Sequence, residues 1–148
     1  MNRVLRGRII APVVLATLLA GLAACGDSDK KKAAEAAGAP CGSDITQTAS
    51  TQLPSDVPAP AGASSAYAFF PQGATKVWNF ALSGGPSDLE SLRDAYDQAL
   101  TAQGYTIKHT DAEANAEAES EFSGPHAGTT NFRPLCKDKV VFRLKLTS

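Results

Sequence analysis

Apolar and polar residues alternate through several short stretches in the second half of the chain. The clearest stretch is residues 140–146, where every second residue from Val140 onward is apolar and the residues between include two positive charges. Residues 76–82 repeat the pattern around Trp78, the only tryptophan. A period of two residues is typical of a β-strand that is buried on one side. Two shorter strands are predicted at residues 67–70 and 105–109.

Between these strands lies a segment with the period of an amphipathic helix. Ser87 and Glu90 have the spacing of a capping box directly after Pro86, and Gly104 is placed to end the helix. The residues on its apolar face are Leu89, Leu92, Tyr96, Ala99 and Leu100. We expect this face to cover the apolar side of the sheet and to bury Trp78. The predicted fold is α+β, with two layers: a mostly antiparallel sheet of four to five strands and one helix.

Residues 111–121 fit more than one structure. A helix would stack Glu113, Glu117 and Glu121 as like charges, so we predict a loop that leads into an exposed strand. The five carboxylates, which also include Asp111 and Glu119, then lie along one flat face. They could attract a hard cation, but a solvated strand edge that discourages unwanted pairing explains them better. Residues 125–128 are predicted as a turn into a strand at 129–133, which Pro134 would end.

The first 25 residues have the features of an export signal. Three arginines precede an apolar segment at residues 9–20, and small residues then lead into a cysteine. The tetrapeptide Leu22-Ala23-Ala24-Cys25 resembles the lipobox of bacterial lipoproteins. The resemblance implies that the Cys25 thiol receives a diacylglycerol, that cleavage occurs just before Cys25, and that the protein is anchored at the outer side of the cell membrane. An ordinary transmembrane helix is disfavoured because the apolar segment is too short.

Removal of residues 1–24 changes the charge balance of the chain. The leader contains three of the 14 basic residues and none of the 15 acidic ones, so the formal charge of the mature chain is −4. Nucleic acid is therefore an improbable partner. Residues 30–32 are three lysines, which belong either to a solvated tether or to a contact with anionic lipids. We expect a tether and a Pro/Ser/Thr-rich strap over residues 25–63, with the strap at 43–63, and a small α+β domain over 64–148.

Three cysteines are present, which is an odd number for an exported protein. If Cys25 carries lipid, Cys41 and Cys136 remain as a pair outside the reducing cytosol. We therefore predict a disulfide between them, which would join the start of the folded region to its end. Two unpaired thiols are the alternative.

The sequence contains no recognisable catalytic, cofactor or metal motif. No nucleophile elbow, His-Glu-x-x-His, Cys-x-x-Cys, phosphate-binding glycine loop or EF-hand spacing is found. His109 and His126 could each act as a base, but neither lies in a local motif. We predict no catalytic residues, no metal site and no cofactor.

The sequence thus favours a lipid-anchored envelope lipoprotein with a non-catalytic binding or accessory domain. The ligand or partner would be a protein, a glycan or a small apolar molecule that binds the sheet or the cleft between sheet and strap. Two other classes remain open: an envelope hydrolase that uses dispersed acidic residues and histidines, and a structural subunit of a membrane complex. A buried Trp78 would exclude this residue from a ligand site.

Overall fold

A computed structural model describes residues 52–63 and 68–147, with the backbone alone for residues 68–72. Its strands are β1 (Ala68–Gln72), β2 (Thr75–Ser83), β3 (Thr106–Glu113), β4 (Glu117–Ser123), β5 (Ala127–Cys136) and β6 (Lys139–Thr147), and its α-helix is α1 (Leu89–Ala102). They form one antiparallel sheet in the order β1-β2-β6-β5-β4-β3. The predicted α+β class is confirmed, and the sheet has six strands where four to five were expected.

Helix α1 begins differently from the prediction. A single 3-10 turn, Pro86–Asp88, precedes the helix, and the Asp88 carboxylate accepts a hydrogen bond of 2.8 Å from the Gly85 amide. The predicted capping box of Ser87 and Glu90 is therefore wrong, because the turn moves the helix start to Leu89. The predicted end is confirmed: Gly104 has a φ of +86°, and the amide of Tyr105 donates to the Leu100 carbonyl at 3.1 Å.

One face of the sheet holds the core. The predicted apolar residues of β2 and β6 lie on this face, and Trp78 is 1 % exposed. Three phenylalanines from neighbouring strands, Phe80, Phe142 and Phe132, stack in a row with ring centroids 5.7 and 4.6 Å apart. Helix α1 packs across β3, β4 and β5, and the Tyr96 ring reaches to 4.6 Å from that of Phe142. The predicted burial of Trp78 is thus confirmed. Of the helix stripe, Leu89, Tyr96 and Leu100 are buried, whereas Leu92 and Ala99 are half-buried.

Two predictions about the region after the helix are corrected. Residues 111–113 are strand instead of loop, because a tight turn with Asn115 at a φ of +60° joins β3 to β4 as a hairpin, whereas the strand predicted after the loop is present as β4. Strand β5 continues past Pro134 to Cys136. A proline lacks a backbone donor. Strand β5 tolerates Pro134 because its pairing with β4 ends at Phe132, so within the described residues one side of Pro134 has no neighbouring strand.

The structure does not describe the leader, the tether, or residues 43–51 of the predicted strap. Cys25 and Cys41 lie outside the described residues, so lipidation and the disulfide stay predictions. Neither helical segment within the described ranges has the length and apolar character needed to cross a membrane.

Candidate functional site

Residues 52–63, the described part of the strap, lie against the core. Val57 is 5 % exposed and belongs to the same apolar cluster as Trp78 and Tyr96, and Leu53 packs against that cluster. Two local turns shape this segment: the Val57 amide donates to the Pro54 carbonyl at 3.0 Å, and that of Ala63 to Pro60 at 3.2 Å. Within the described residues, no backbone hydrogen bond joins the strap to a helix or strand.

Side chains attach the strap at two places. The Tyr96 hydroxyl donates to the Pro58 carbonyl at 3.0 Å. The Asp56 carboxylate accepts a bond of 3.3 Å from the Tyr105 hydroxyl and lies 3.4 Å from Nε2 of His126. Burial, reinforced by the nearby Asp56 charge, raises the pKa of Tyr105 to about 12, so this hydroxyl stays protonated and can donate at all ordinary pH values.

An apolar pocket opens between the strap and the helix. Its walls are Ala59, Pro60 and Ala61 of the strap, Leu92, Ala95, Tyr96 and Ala99 of α1, and Leu82 and Phe132 of the sheet. The cavity volume is about 100 Å³, and none of its lining side chains is charged. Burial raises the pKa of Tyr96, so the one hydroxyl in the lining is neutral, and it is already bonded to Pro58. The pocket is suited to an apolar group.

A small polar cluster lies elsewhere between the helix and the sheet. Ser120 on β4 donates to the Asp97 carboxylate of α1 at 2.6 Å, and both residues are buried. The other Asp97 oxygen and the Thr130 hydroxyl have no hydrogen-bond partner within the described residues. Burial raises the pKa of Asp97, although the bond from Ser120 and the charge of Arg93 act in the opposite direction. No opening leads to this cluster from either described pocket.

The opposite face of the sheet is polar, as the alternation predicted. The five predicted carboxylates share this face of the β3–β4 hairpin, and a shallow cavity of about 110 Å³ lies among four of them. Asn131 on β5 donates to both Glu117 and Glu119, and Arg133 pairs with Glu117. Burial and the hydrogen bond with Glu119 raise the pKa of Glu117, while Arg133 opposes the shift.

The residues singled out in the sequence are dispersed. His109 is exposed on the edge strand β3, whereas His126 lies in the β4–β5 connection beside Asp56. Neither histidine lines a described pocket. Cys136 is buried, 6 % exposed, at the end of β5. The structure therefore places His126 beside Asp56 and His109 directly opposite Glu121 in the β3–β4 register, and the two histidines do not share a site.

Sequence reasoning did not single out Asp56, Pro58 or Asp97. The strap is rich in Pro, Ala and Ser and has no periodic pattern, so its hydrogen bond with Tyr96 could not be predicted from the sequence. Asp97 has a weak signal, because it follows Arg93 by one helical turn and borders the apolar stripe. Comparison of the chain with protein-family models, curated proteins and solved structures found no match.

Proposed function

We propose that this protein is a lipid-anchored, non-catalytic binding protein of the bacterial cell envelope, and that its ligand places a small apolar group in the pocket between the strap and α1. The observation that carries the proposal is the pocket itself. It is lined by apolar side chains from three parts of the chain, and the described strap forms one wall without a backbone hydrogen bond to the rest of the domain.

The size of the pocket limits what it can enclose. An apolar cavity of about 150 Å³ is known to bind benzene or xenon. The strap pocket, at about 100 Å³, suits a smaller group such as a branched aliphatic end or a few methylenes. A larger ligand would have to displace the strap, whose attachment depends on the bonds to Pro58 and Asp56 and on the packing of Val57.

Xenon provides a direct test because it has no polar group and enters small apolar cavities. We expect xenon to shift the amide NMR signals of pocket residues in the full chain. Ala95→Leu and Ala99→Leu should fill the pocket and weaken this binding by about tenfold or more, since the added side chain occupies the same volume. Ala102→Leu is the matched control, because Ala102 lies on the same helix and does not line the pocket. Equal shifts in all three variants would contradict the proposed site.

The anchor has its own test. Cys25→Ala removes the thiol that would carry the diacylglycerol, so the variant should be unprocessed and lack the lipid. Two or more acyl chains give stable membrane attachment. Cleavage before residue 25 together with unchanged attachment in the variant would contradict lipidation.

Export also predicts the state of the other two cysteines. Mass spectrometry of peptides from the non-reduced protein should find Cys41 joined to Cys136. Alkylation of both thiols in the folded protein would show that the disulfide is absent.

A further inference from the structure

Charges are segregated on the polar face of the sheet. The acidic residues lie on β3 and β4, and the basic residues on β5 and β6. They are Asp111, Glu113, Glu117, Glu119 and Glu121 on one half, and Arg133, Lys139, Arg143 and Lys145 on the other. Both halves therefore lie side by side on one surface of one chain, which we call the charged face.

The segregation of charges destabilises the sheet of a single chain. Asp111 lies directly opposite Glu119, and Glu113 directly opposite Glu117, in the β3–β4 register. Like charges in directly opposed positions destabilise a sheet, whereas opposite charges there would stabilise it. Arg133 relieves part of this repulsion through its pair with Glu117. Within the described residues, Glu119 and Glu121 have no ion pair with a basic side chain, so cations from outside the chain would compensate their charges.

The strand register defines where such cations would have to lie. Glu119, Asn131 and Arg143 form one row across β4, β5 and β6, and Glu121, Thr129 and Lys145 form a parallel row. In each row the acid and the base are two strands apart, about 10 Å between backbones. Within the described residues no ion pair joins them, and Arg143 donates to Asn79 instead. A two-fold axis parallel to the strands and along β5 would place β4 of one copy over β6 of another at the same level.

We propose that two copies of this chain associate through the charged face about such an axis, so that Glu119 faces the partner's Arg143 and Glu121 faces the partner's Lys145. Symmetry repeats each pair, because the same patch serves both copies in an isologous interface. A partner that is uniformly basic would match only the β3–β4 half, whereas a second copy supplies bases to β4 and acids to β6. The pairing does not depend on the strap pocket.

The test uses the full chain in its own membranes. Two differently tagged copies are expressed together and treated with a carbodiimide, which joins carboxylates to amines in contact, and species that carry both tags are purified. We expect a covalent dimer in which Glu121 of one copy is linked to Lys145 of the other. High salt should reduce the yield because it screens exposed charges.

Charge reversal makes the test specific. Glu121→Lys alone and Lys145→Glu alone should each lower co-capture of the two tags, measured without carbodiimide, by about tenfold or more, since like charges then face each other across the interface. Co-expression of the two single variants should restore dimers, because Lys in one copy then faces Glu in the other at both pairs. Glu90→Lys, on the exposed side of α1, is the matched control and should leave the yield unchanged.

Three results would overturn the proposal. They are the absence of any link between copies in the parent, a dimer yield that neither reversal changes, and a pair of complementary variants that fails to restore dimers although both are folded by circular dichroism. The first of these results includes carbodiimide linkage of Glu121 to another, basic protein in place of a second copy.

Discussion

The two faces of the sheet differ sharply although the same strands form both. On one face Phe80, Phe142 and Phe132 are in register and their rings stack. One residue earlier on β2, the row across the same strands is Asn79, Arg143 and Asn131. Arg143 donates to Asn79 at 3.0 Å, and Asn131 donates to the glutamates of β4. Both faces share the same backbone hydrogen bonds between strands, so they differ only in their side chains.

This contrast separates stability from interaction. The aromatic row is covered by α1 and the strap, so its side chains contribute through burial. Apart from the buried Asn79, the polar row lies on the charged face, where ion pairs with water on one side contribute little to stability. We therefore expect substitutions on the core face to change the free energy of unfolding, and substitutions on the charged face to change association. The predictions below test this division, from the largest expected effect to the smallest.

The largest effect should come from Trp78, which is 1 % exposed on the core face. Trp78→Ala leaves a cavity in the core and should lower the free energy of unfolding by about 3 to 5 kcal/mol. Urea unfolding followed by circular dichroism measures the change. Lys145→Ala, on the charged face, is the matched control and should change it by less than about 0.5 kcal/mol. Equal effects of the two substitutions would remove the distinction between the faces.

The alternation of the strands explains why so much of this division was predictable. Residues 140–146 and 76–82 have a period of two, and the helix stripe has only the sheet to cover, so the two-layer arrangement follows from the sequence. The hairpin of β3 and β4 was less predictable from the sequence. Its alanines fit a helix, a loop or a strand, and only the left-handed turn at Asn115 and the pairing with β5 favour the strand.

The strap pocket was less predictable than the fold. The sequence predicted a strap and a cleft between the strap and the sheet. It did not predict which residues of the strap contact the core. A segment without regular hydrogen bonding takes its position from single side-chain contacts, here those of Val57, Asp56 and Pro58. Such contacts join residues about 40 positions apart, and the local pattern of the sequence contains no signal for them. The polar contact of Asp97 with Ser120 escaped prediction for the same reason.

Asp97 is the exception to the apolar character of the core face, and its replacement should stabilise the protein. Its pKa is raised in the folded state, so the folded state binds the proton more tightly than the unfolded state. The stability from this group is therefore full below about pH 3.9, the ordinary pKa of aspartate, and is lost as pH rises through the folded pKa. Asp97→Asn keeps an oxygen for the Ser120 hydroxyl and carries no charge.

We expect Asp97→Asn to raise the free energy of unfolding at pH 7 by about 1 kcal/mol, the scale of one net hydrogen bond. Below about pH 3.9 the variant and the parent should be equally stable. Urea unfolding between pH 3 and pH 8 measures both. Glu90→Gln is the control, because Glu90 lies on the same helix and is exposed. A variant that is less stable than the parent at pH 7 would show that the buried charge itself holds α1 on the sheet.

The next effect concerns the strap as part of the cover over the core face. Tyr96→Phe removes the hydroxyl that donates to Pro58 and should cost about 1 kcal/mol. Because this bond holds the strap, amide hydrogen exchange in residues 52–63 should accelerate more than exchange in α1. Tyr105→Phe, which removes the bond to Asp56 at the other attachment, is the matched variant. Uniform acceleration over the whole domain would mean that strap and helix open as one unit.

The smallest effect should come from Glu117 on the charged face. Burial and the hydrogen bond with Glu119 raise its pKa, so the stability it contributes is full below about pH 4.3, the ordinary pKa of glutamate, and declines as pH rises through its folded pKa. Glu117→Gln removes this loss of stability with rising pH, which favours the folded state at pH 7. It also removes the ion pair with Arg133, which has the opposite effect. The free energy of unfolding at pH 7 should therefore change by less than about 0.5 kcal/mol. Urea unfolding at pH 4 and pH 7 measures the change, with Glu90→Gln on the helix as control. A loss comparable to that of Trp78→Ala would show that the charged face carries stability and would end the division between the two faces.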